Sequence, residues 1–214
     1  MMLEYTDYIK IFIALLAVVD PIGVMPIIAG VVARGDRAQL NSIAGTAALA
    51  VAAILLISLF FGEDLLYFFG ISINSFKISG GILLMLMALS MLQAKTSETV
   101  QNRQEAEALE NHRSLAIVPL SMPLLAGPGA ISAVILYAQM GNSIEHYLLI
   151  SLDILAVVLI LWTVIRFIPW LTRHLSQTGI NVFTRLMGLV LSALAIEFMA
   201  SGLKGLFPVL STHP

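Results

Sequence analysis

The sequence contains no cysteine and few charged residues, which make up 11% of the chain against 59% hydrophobic residues. The missing cysteines exclude disulfide bonds, thiol nucleophiles and cysteine-ligated metal sites. Soluble domains typically carry about a quarter charged residues, so the shortage of charge indicates an integral membrane protein. The net charge of −2 argues against nucleic acid as a partner, because nucleic-acid binding needs a basic surface.

Motifs that would indicate an enzyme are also missing. The chain has no HExxH or GxSxG motif, and its four histidines show neither HxxxH nor HxH spacing. It has no GxxxxGK[ST] motif either, which argues against direct use of ATP. We therefore predict a protein that is not an enzyme and that needs no catalytic residue, cofactor or metal ion.

Six long apolar runs are what the sequence does contain, and each can cross a bilayer, which takes about 20 residues as a helix. Helices are expected because lipid offers the backbone no other hydrogen-bond partners. No basic region precedes the first run, so we interpret it as a permanent span and not as a cleaved signal peptide. The predicted spans are Ile9–Val32, Leu40–Phe61, Ser75–Gln93, Leu115–Met140, Tyr147–Ile168 and Phe183–Phe207.

Lysine and arginine residues fall mainly on one side of these spans. Connections 1–2, 3–4 and 5–6, with the adjoining helix ends, hold eight of them, and the other side holds three. Because basic loops favour the cytoplasm, we predict a multi-pass inner-membrane protein with both termini on the outer, periplasmic side. The eight are Arg34, Arg37, Lys95, Arg103, Arg113, Arg166, Arg173 and Arg185, and the three are Lys10, Lys77 and Lys204.

A shift of 107 residues relates the two halves of the chain. Each half has three spans, an odd number, so the halves must lie in opposite orientations. We predict an all-α membrane protein of six helices in two inverted three-helix repeats, 1–94 and 115–214, joined by a charged cytoplasmic linker, 95–114. Secondary transporters often have this plan, with the site at the midplane. The shift superposes Pro21 on Pro128, Ile73 on Ile180, Asn74 on Asn181, Phe76 on Phe183, Gly81 on Gly188 and Ala88 on Ala195.

Two clusters of proline and glycine interrupt spans 1 and 4. Asp20 lies about eleven residues into its span, roughly 16 Å deep in a core of about 30 Å. Pro21 disfavours helical geometry at the residue before it, so we predict a break, with Asp20 capping a new half-helix. Gly127 and Pro128 repeat the arrangement. Simple kinks are the alternative, but an acid at mid-depth usually marks an ion or substrate path.

The paired breaks are suited to a zwitterion. Helix N-termini favour a carboxylate, while Asp20 and the carbonyl groups freed before each break (at Val18, Val19, Leu125 and Ala126) favour an ammonium group. Because the glycines let the protein backbone approach the substrate closely, only a substrate with a small side chain is expected to fit. The predicted substrate-binding residues are Asp20, Pro21, Gly23, Ala126, Gly127, Pro128, Gly129 and Ser132. Asp20 and Glu197 are the candidates for proton coupling.

Other polar residues within the spans have simpler interpretations. Lys77 and Arg185 are expected to extend to the lipid headgroups. Asp153 is expected to be interfacial or to pair with a lysine or arginine. Asn74 and Asn181 precede spans 3 and 6 and are expected to cap those helices.

Together these motifs resemble the MarC family of six-span membrane proteins of bacteria and archaea, which is related to the lysine-exporter superfamily. The resemblance covers nearly the whole chain. It implies transport of small neutral amino acids, glycine and alanine, as in an archaeal member. Some members have Asn in place of Asp20, so the resemblance does not require the acid. It depends on Asp20–Gly23 with Pro26, Gly70–Leu83, Pro123–Ile131, Gln177–Asn181 and Arg185–Gly188.

The sequence therefore predicts a proton-coupled secondary transporter of small zwitterionic amino acids, working by alternating access in the lipid bilayer. An exporter of another small metabolite or drug, an intramembrane enzyme or redox relay, and a non-transporting scaffold are the alternatives. The small-residue faces permit a homo-oligomer without requiring one.

Overall fold

The computed structural model describes residues 4–25, 28, 37–93, 126–174, 176–207 and 209. Within these ranges the chain forms seven α-helices and no β-strand, which confirms the all-α class for this part of the protein. The predicted linker, 95–114, lies outside the described residues. The helices are α1 (Tyr5–Val19), α2 (Arg37–Phe68), α3 (Ile73–Leu92), α4 (Pro128–Ala138), α5 (Ile144–Arg166), α6 (Ile168–His174) and α7 (Gln177–Leu206).

Four of the described helices are long and apolar enough to cross a membrane. They are α2, α3, α5 and α7, and they confirm predicted spans 2, 3, 5 and 6. Helix α1 has 15 residues and α4 has 11, because each stops or starts at a proline–glycine cluster. The remaining parts of spans 1 and 4 lie largely outside the described ranges, so a six-span topology stays a prediction.

Serine side chains cap the first turns of three described helices. Each hydroxyl accepts a hydrogen bond of 3.1 Å from the main-chain N–H three residues later, and the caps are Ser72, Ser143 and Ser176. Such a cap typically contributes about 1 kcal/mol. Asn74 and Asn181 lie inside α3 and α7, so the prediction that they cap these helices was wrong. The helices begin earlier, at serines whose backbone is extended.

Helices α3 and α7 pack antiparallel along a seam of small residues. A Cβ atom built on Gly81 would lie 2.8 Å from the carbonyl oxygen of Ala195, and one built on Gly188 would lie 3.1 Å from that of Ala88. Gly81 of α3 meets Ala195 of α7, and the later residue Ala88 meets the earlier residue Gly188, so the two helices run antiparallel. Small residues let helix backbones approach this closely in membrane proteins.

Helices α2 and α5 form a second antiparallel pair. At one end Arg166 Nη1 donates a hydrogen bond of 2.9 Å to Asn41 Oδ1, and at the other the rings of Phe60 and Tyr147 stack with centroids 5.9 Å apart. Helices α1 and α4 pack against this pair. Large apolar side chains remain exposed on the outward faces of α2 and α5, where a lipid bilayer would cover them.

Candidate functional site

Asp20 ends α1 and starts the turn that follows. Its φ of 41° and ψ of 64° are left-handed, and among the described residues no other non-glycine residue has a positive φ. Aspartate tolerates this conformation better than most residues because its short side chain can bond locally. The Asp20 N–H donates to the Leu16 carbonyl at 3.0 Å, and Asp20 Oδ1 accepts from the Gly23 N–H at 3.1 Å. The same residue therefore closes one helix and caps the next turn.

Helical hydrogen bonds resume directly after this break. The N–H of Val24 donates to the Asp20 carbonyl at 3.3 Å, and the N–H of Ile28 donates to the Val24 carbonyl at 3.2 Å. Pro21 has no N–H to satisfy, which suits the first position of a helix. The predicted interruption of the helix and the capping bond of Asp20 are both present.

Gly23 is required by the side chain of Asp20. A Cβ atom at Gly23 would overlap the Asp20 carboxylate, which lies across this residue to reach its N–H. Gly23 thus has a structural role in the cap in addition to the substrate contact predicted from the sequence.

The helix start at Pro128 has the geometry predicted for it, while the part of predicted span 4 before Ala126 lies outside the described residues. Gly127 is extended, with φ −61° and ψ 172°, and α4 begins with Pro128 in its first turn. The N–H groups of Ala130 and Ile131 donate to the Gly127 carbonyl at 3.0 and 3.2 Å. Gly127 is thus the N-cap of α4, although it has no side chain to strengthen the cap.

Helix α3 covers the first turns of α4. A Cβ atom at Gly129 would overlap the sulfur of Met87, and one at Gly80 would lie 3.2 Å from Cβ of Ser132. Gly129 and Ser132 are buried, the latter with only 4% of its surface exposed. The face of α4 that carries Gly129 and Ser132 is therefore crowded, whereas Pro128 is exposed and Gly127 is partly buried.

The predicted site residues occupy two short segments. Asp20, Pro21 and Gly23 form one turn, and Ala126–Pro128 leads into α4, which packs against α1. Pro21 and Ala126 are buried, and Asp20 is partly buried. The structure places these residues without a substrate, and their binding role stays a prediction.

Glu197 is exposed on α7. Among the described residues Glu197 forms no ion pair with Lys10. Lys10 itself forms an ion pair of 2.8 Å with Asp7. The coupling role of Glu197 stays a prediction.

A buried histidine that the sequence analysis did not select joins α1, α4 and α5. His146 Nδ1 lies 2.9 Å from Tyr8 Oη, and its Nε2 lies 3.0 Å from the carbonyl oxygen of Tyr137. Because a carbonyl can only accept, Nε2 carries the proton, and Nδ1 of the neutral ring accepts from Tyr8. Tyr8 is 138 residues away in the sequence, so no spacing signal could have revealed the pair.

The remaining polar residues of the spans differ from one another. Lys77 Nζ donates to Ser201 Oγ of α7 at 3.3 Å, and Arg185 is exposed; their extension towards the headgroups stays a prediction. Asp153 Oδ2 is buried and has no hydrogen-bond partner in the described part of the chain. The expected pairing of Asp153 with lysine or arginine is therefore not found among those residues.

Comparison with known proteins identifies the family. Residues 5–207 match the family model described as MarC family integral membrane protein. The UPF0056 membrane protein YhcE of Escherichia coli (strain K12) is 45% identical over 205 residues, covering 96% of this chain and 95% of that protein. The UPF0056 membrane protein YvbG of Bacillus subtilis (strain 168) is 34% identical over 210 residues, covering 97% and 99%.

An archaeal relative extends the comparison. The UPF0056 membrane protein MJ0972 of Methanocaldococcus jannaschii is 33% identical over 206 residues, covering 96% of this chain and 90% of that protein. No solved structure matches the chain. The family match spans nearly the whole sequence, and the resemblance carried by its motifs is confirmed at that level: the chain belongs to the MarC family of multi-pass integral membrane proteins.

Proposed function

We propose that this protein is a secondary transporter of small neutral amino acids, such as glycine and alanine, across the inner membrane. The observation that carries the proposal is the pair of capped helix starts at Asp20–Pro21 and Gly127–Pro128. Both interrupt apolar segments, where an unpaired backbone group is costly unless it lines a site. Interrupted helices of this kind hold substrates in transporters built from inverted repeats.

Reciprocal contacts between α3 and α7 support the inverted repeat. Under the shift of 107 residues, Gly81 becomes Gly188 and Ala195 becomes Ala88. The close approach of Gly81 to Ala195 is matched by that of Gly188 to Ala88. A two-fold axis in the membrane plane would produce this exchange, and it would also make corresponding helices antiparallel. Both the α3–α7 pair and the α2–α5 pair are antiparallel.

The helix start at Pro128 suits a substrate carboxylate. N–H groups in the first turn of a helix have no acceptor within the helix and carry a partial positive charge. Gly129 supplies such a group from its main chain. Met87 closes over the same glycine, which favours a ligand with a small side chain.

The turn at Asp20 suits a substrate ammonium group. Oδ1 of Asp20 is held by the Gly23 N–H. We assign Oδ2 to the ammonium group, for which a carboxylate oxygen is a charge-assisted acceptor. Only the first break carries an acid, so a zwitterion would bind in one orientation. Asp20 is also one of the two proposed coupling acids, with Glu197.

Reconstitution tests the proposal. Purified protein in liposomes should take up labelled glycine, and an imposed pH gradient should drive accumulation above the outside concentration. Unlabelled alanine should compete and unlabelled leucine should compete weakly, because Met87 limits the space. Protein-free liposomes give the background. Absence of flux together with absence of glycine binding in calorimetry would overturn the proposal.

A further inference from the structure

Asp153 lies on the face of α5 that meets α1. It follows His146 by seven residues, which is about two helical turns, so the two side chains project from the same side of the helix. That side contacts α1 through the 2.9 Å bond between His146 and Tyr8. Oδ2 of Asp153 is buried, although the residue as a whole is only partly buried. The carboxylate is therefore directed to a helix interface.

Asp153 also lies within predicted span 5. It comes six residues after Tyr147, where that span begins, which corresponds to about 9 Å along the helix. The hydrocarbon core is about 30 Å thick. An ionised carboxylate at this depth is costly, and such residues usually have a partner or mark an ion path. Oδ2 of Asp153 is buried without a hydrogen-bond partner in the residues that the structure describes.

The surrounding charges do not neutralise this carboxylate. Helix α5 adds Glu145 and His146, and α1 adds Tyr8, with Asp7 and Lys10 near its first turns. Lys10 is held by Asp7 at 2.8 Å. Helix α2, which packs against α5, contributes further acids, Glu63 and Asp64, at its end near Tyr147. Among these groups no cation pairs with Asp153.

A proton fits this place better than a metal ion. Hard metal cations such as Ca²⁺ and Mg²⁺ need several oxygen ligands. In the described ranges no group of three or more acidic or histidine residues could hold a metal ion. A single unpaired carboxylate oxygen is enough to bind a proton. The product is a neutral carboxylic acid, which can donate a hydrogen bond.

We propose that Asp153 is a proton-binding residue at the α1–α5 interface. The carboxylate takes one proton from water to form the neutral acid and returns it to water on release, so no other reactant is needed. The site adds a third acid to Asp20 and Glu197. Its role in coupling rests on the proposed transport function, whereas its occupancy by a proton does not.

Infrared difference spectroscopy of the full-length protein in detergent tests the proton site directly. Above about pH 5, where exposed carboxylates are ionised, a pH titration should still show the carbonyl stretching band of protonated carboxylic acid, and one component of this band should be missing from Asp153→Asn. It should persist in Glu197→Gln and shift in Asp153→Glu, which restores an acid. Identical titrations of the wild-type protein and Asp153→Asn would overturn the proposal. Thermal unfolding of each variant checks that the fold is kept.

Liposome assays test the coupling role separately. Asp153→Asn should lower gradient-driven glycine accumulation at least tenfold while keeping the exchange of labelled for unlabelled glycine. Unchanged accumulation together with loss of that infrared component would leave Asp153 as a proton site and remove it from coupling. If the wild-type protein moves no amino acid, the proposed function fails, and the infrared result still decides whether Asp153 binds a proton.

Discussion

Oδ1 of Asp20 is hydrogen-bonded to the main-chain N–H of Gly23 at 3.1 Å, and the carboxylate lies where a Cβ atom of residue 23 would be. The acid in the first break is therefore part of the backbone structure as well as the proposed partner of the substrate ammonium group. Substitutions of Asp20 that keep the hydrogen bond to Gly23 but remove the carboxylate charge can separate these two roles.

Asp20→Asn should keep the break and lose the charge. Asparagine retains an oxygen that can accept from Gly23, and it tolerates the left-handed conformation. We expect a thermal midpoint within a few degrees of the wild-type value, with loss of gradient-driven glycine accumulation. Asp20→Ala should lose the cap as well, at about 1–2 kcal/mol. Unchanged accumulation in Asp20→Asn would remove Asp20 from coupling.

Gly23→Ala should act through Asp20. The added methyl group would displace the carboxylate, so the variant should lose about 1 kcal/mol, the usual value of a helix cap. Asp20→Ala and Gly23→Ala should then be non-additive in the double variant, because both remove the same hydrogen bond. Thermal unfolding in detergent measures this cycle.

Gly45→Ala in α2 is the matched control for Gly23→Ala. No atom lies within 4 Å of a Cβ atom built there, so alanine should leave stability unchanged or raise it by up to about 1 kcal/mol. Full additivity of the Asp20 and Gly23 substitutions would contradict the shared cap.

Gly81→Ala and Gly188→Ala should both weaken the α3–α7 pair. Their added methyl groups would press on carbonyl oxygens of the opposite helix, which cannot rotate away, at a cost of about 1–3 kcal/mol. The effect at Gly81 should be larger, since the contact there is 2.8 Å against 3.1 Å. Gly179→Ala, where the nearest atom is 3.4 Å away, serves as the control. Equal stability of all three variants would show that the pair does not depend on close approach.

Tyr8→Phe should destabilise the protein by about 1 kcal/mol, because it leaves Nδ1 of the buried His146 without a donor. In a chain of this size, about 2–4 °C of the thermal midpoint corresponds to 1 kcal/mol. Tyr5→Phe is the control, since Tyr5 is 76% exposed. A Tyr8→Phe midpoint equal to that of Tyr5→Phe would mean that the Tyr8–His146 bond adds no stability.

The absence of cysteine makes the topology directly testable. Single cysteines in intact cells should react with a membrane-impermeant maleimide only where they face outward. Labelling on the wrong side would reverse the predicted orientation, and labelling at every position would indicate both orientations. The positions expected to react are Tyr5, Phe69, Asn142 and Lys204, and those expected to be protected until lysis are Gln93 and His174.

The sequence allowed prediction of the features that depend on local chemistry. Four spans follow from apolar length, and the interruption at Pro21 and the helix start at Pro128 follow from the missing N–H of proline and the freedom of glycine. The cap at Asp20 follows from its place before a proline. What these features share is that their causes lie within a few neighbouring residues.

Features that depend on distant partners could not be predicted in this way. Tyr8 and His146 carry no common pattern and meet only because α1 packs against α5. The sequence position of Asp153 predicts either an interfacial side chain or a pair with lysine or arginine, and its buried Oδ2 has no hydrogen-bond partner in the described part of the chain. The serine caps were missed because asparagine is an equally good cap in isolation, and only the helix start decides between them.

The seam between α3 and α7 has the character of an isologous interface, the kind that joins two copies of one subunit. Leu84 and Leu191, which the 107-residue shift exchanges, are both fully buried, so the pseudo-symmetry axis of the proposed repeat would pass between them. In this view the chain is a fused antiparallel dimer, and the contact of Gly81 with Ala195 has its counterpart in that of Gly188 with Ala88. A single substitution would then damage one copy and leave its twin intact.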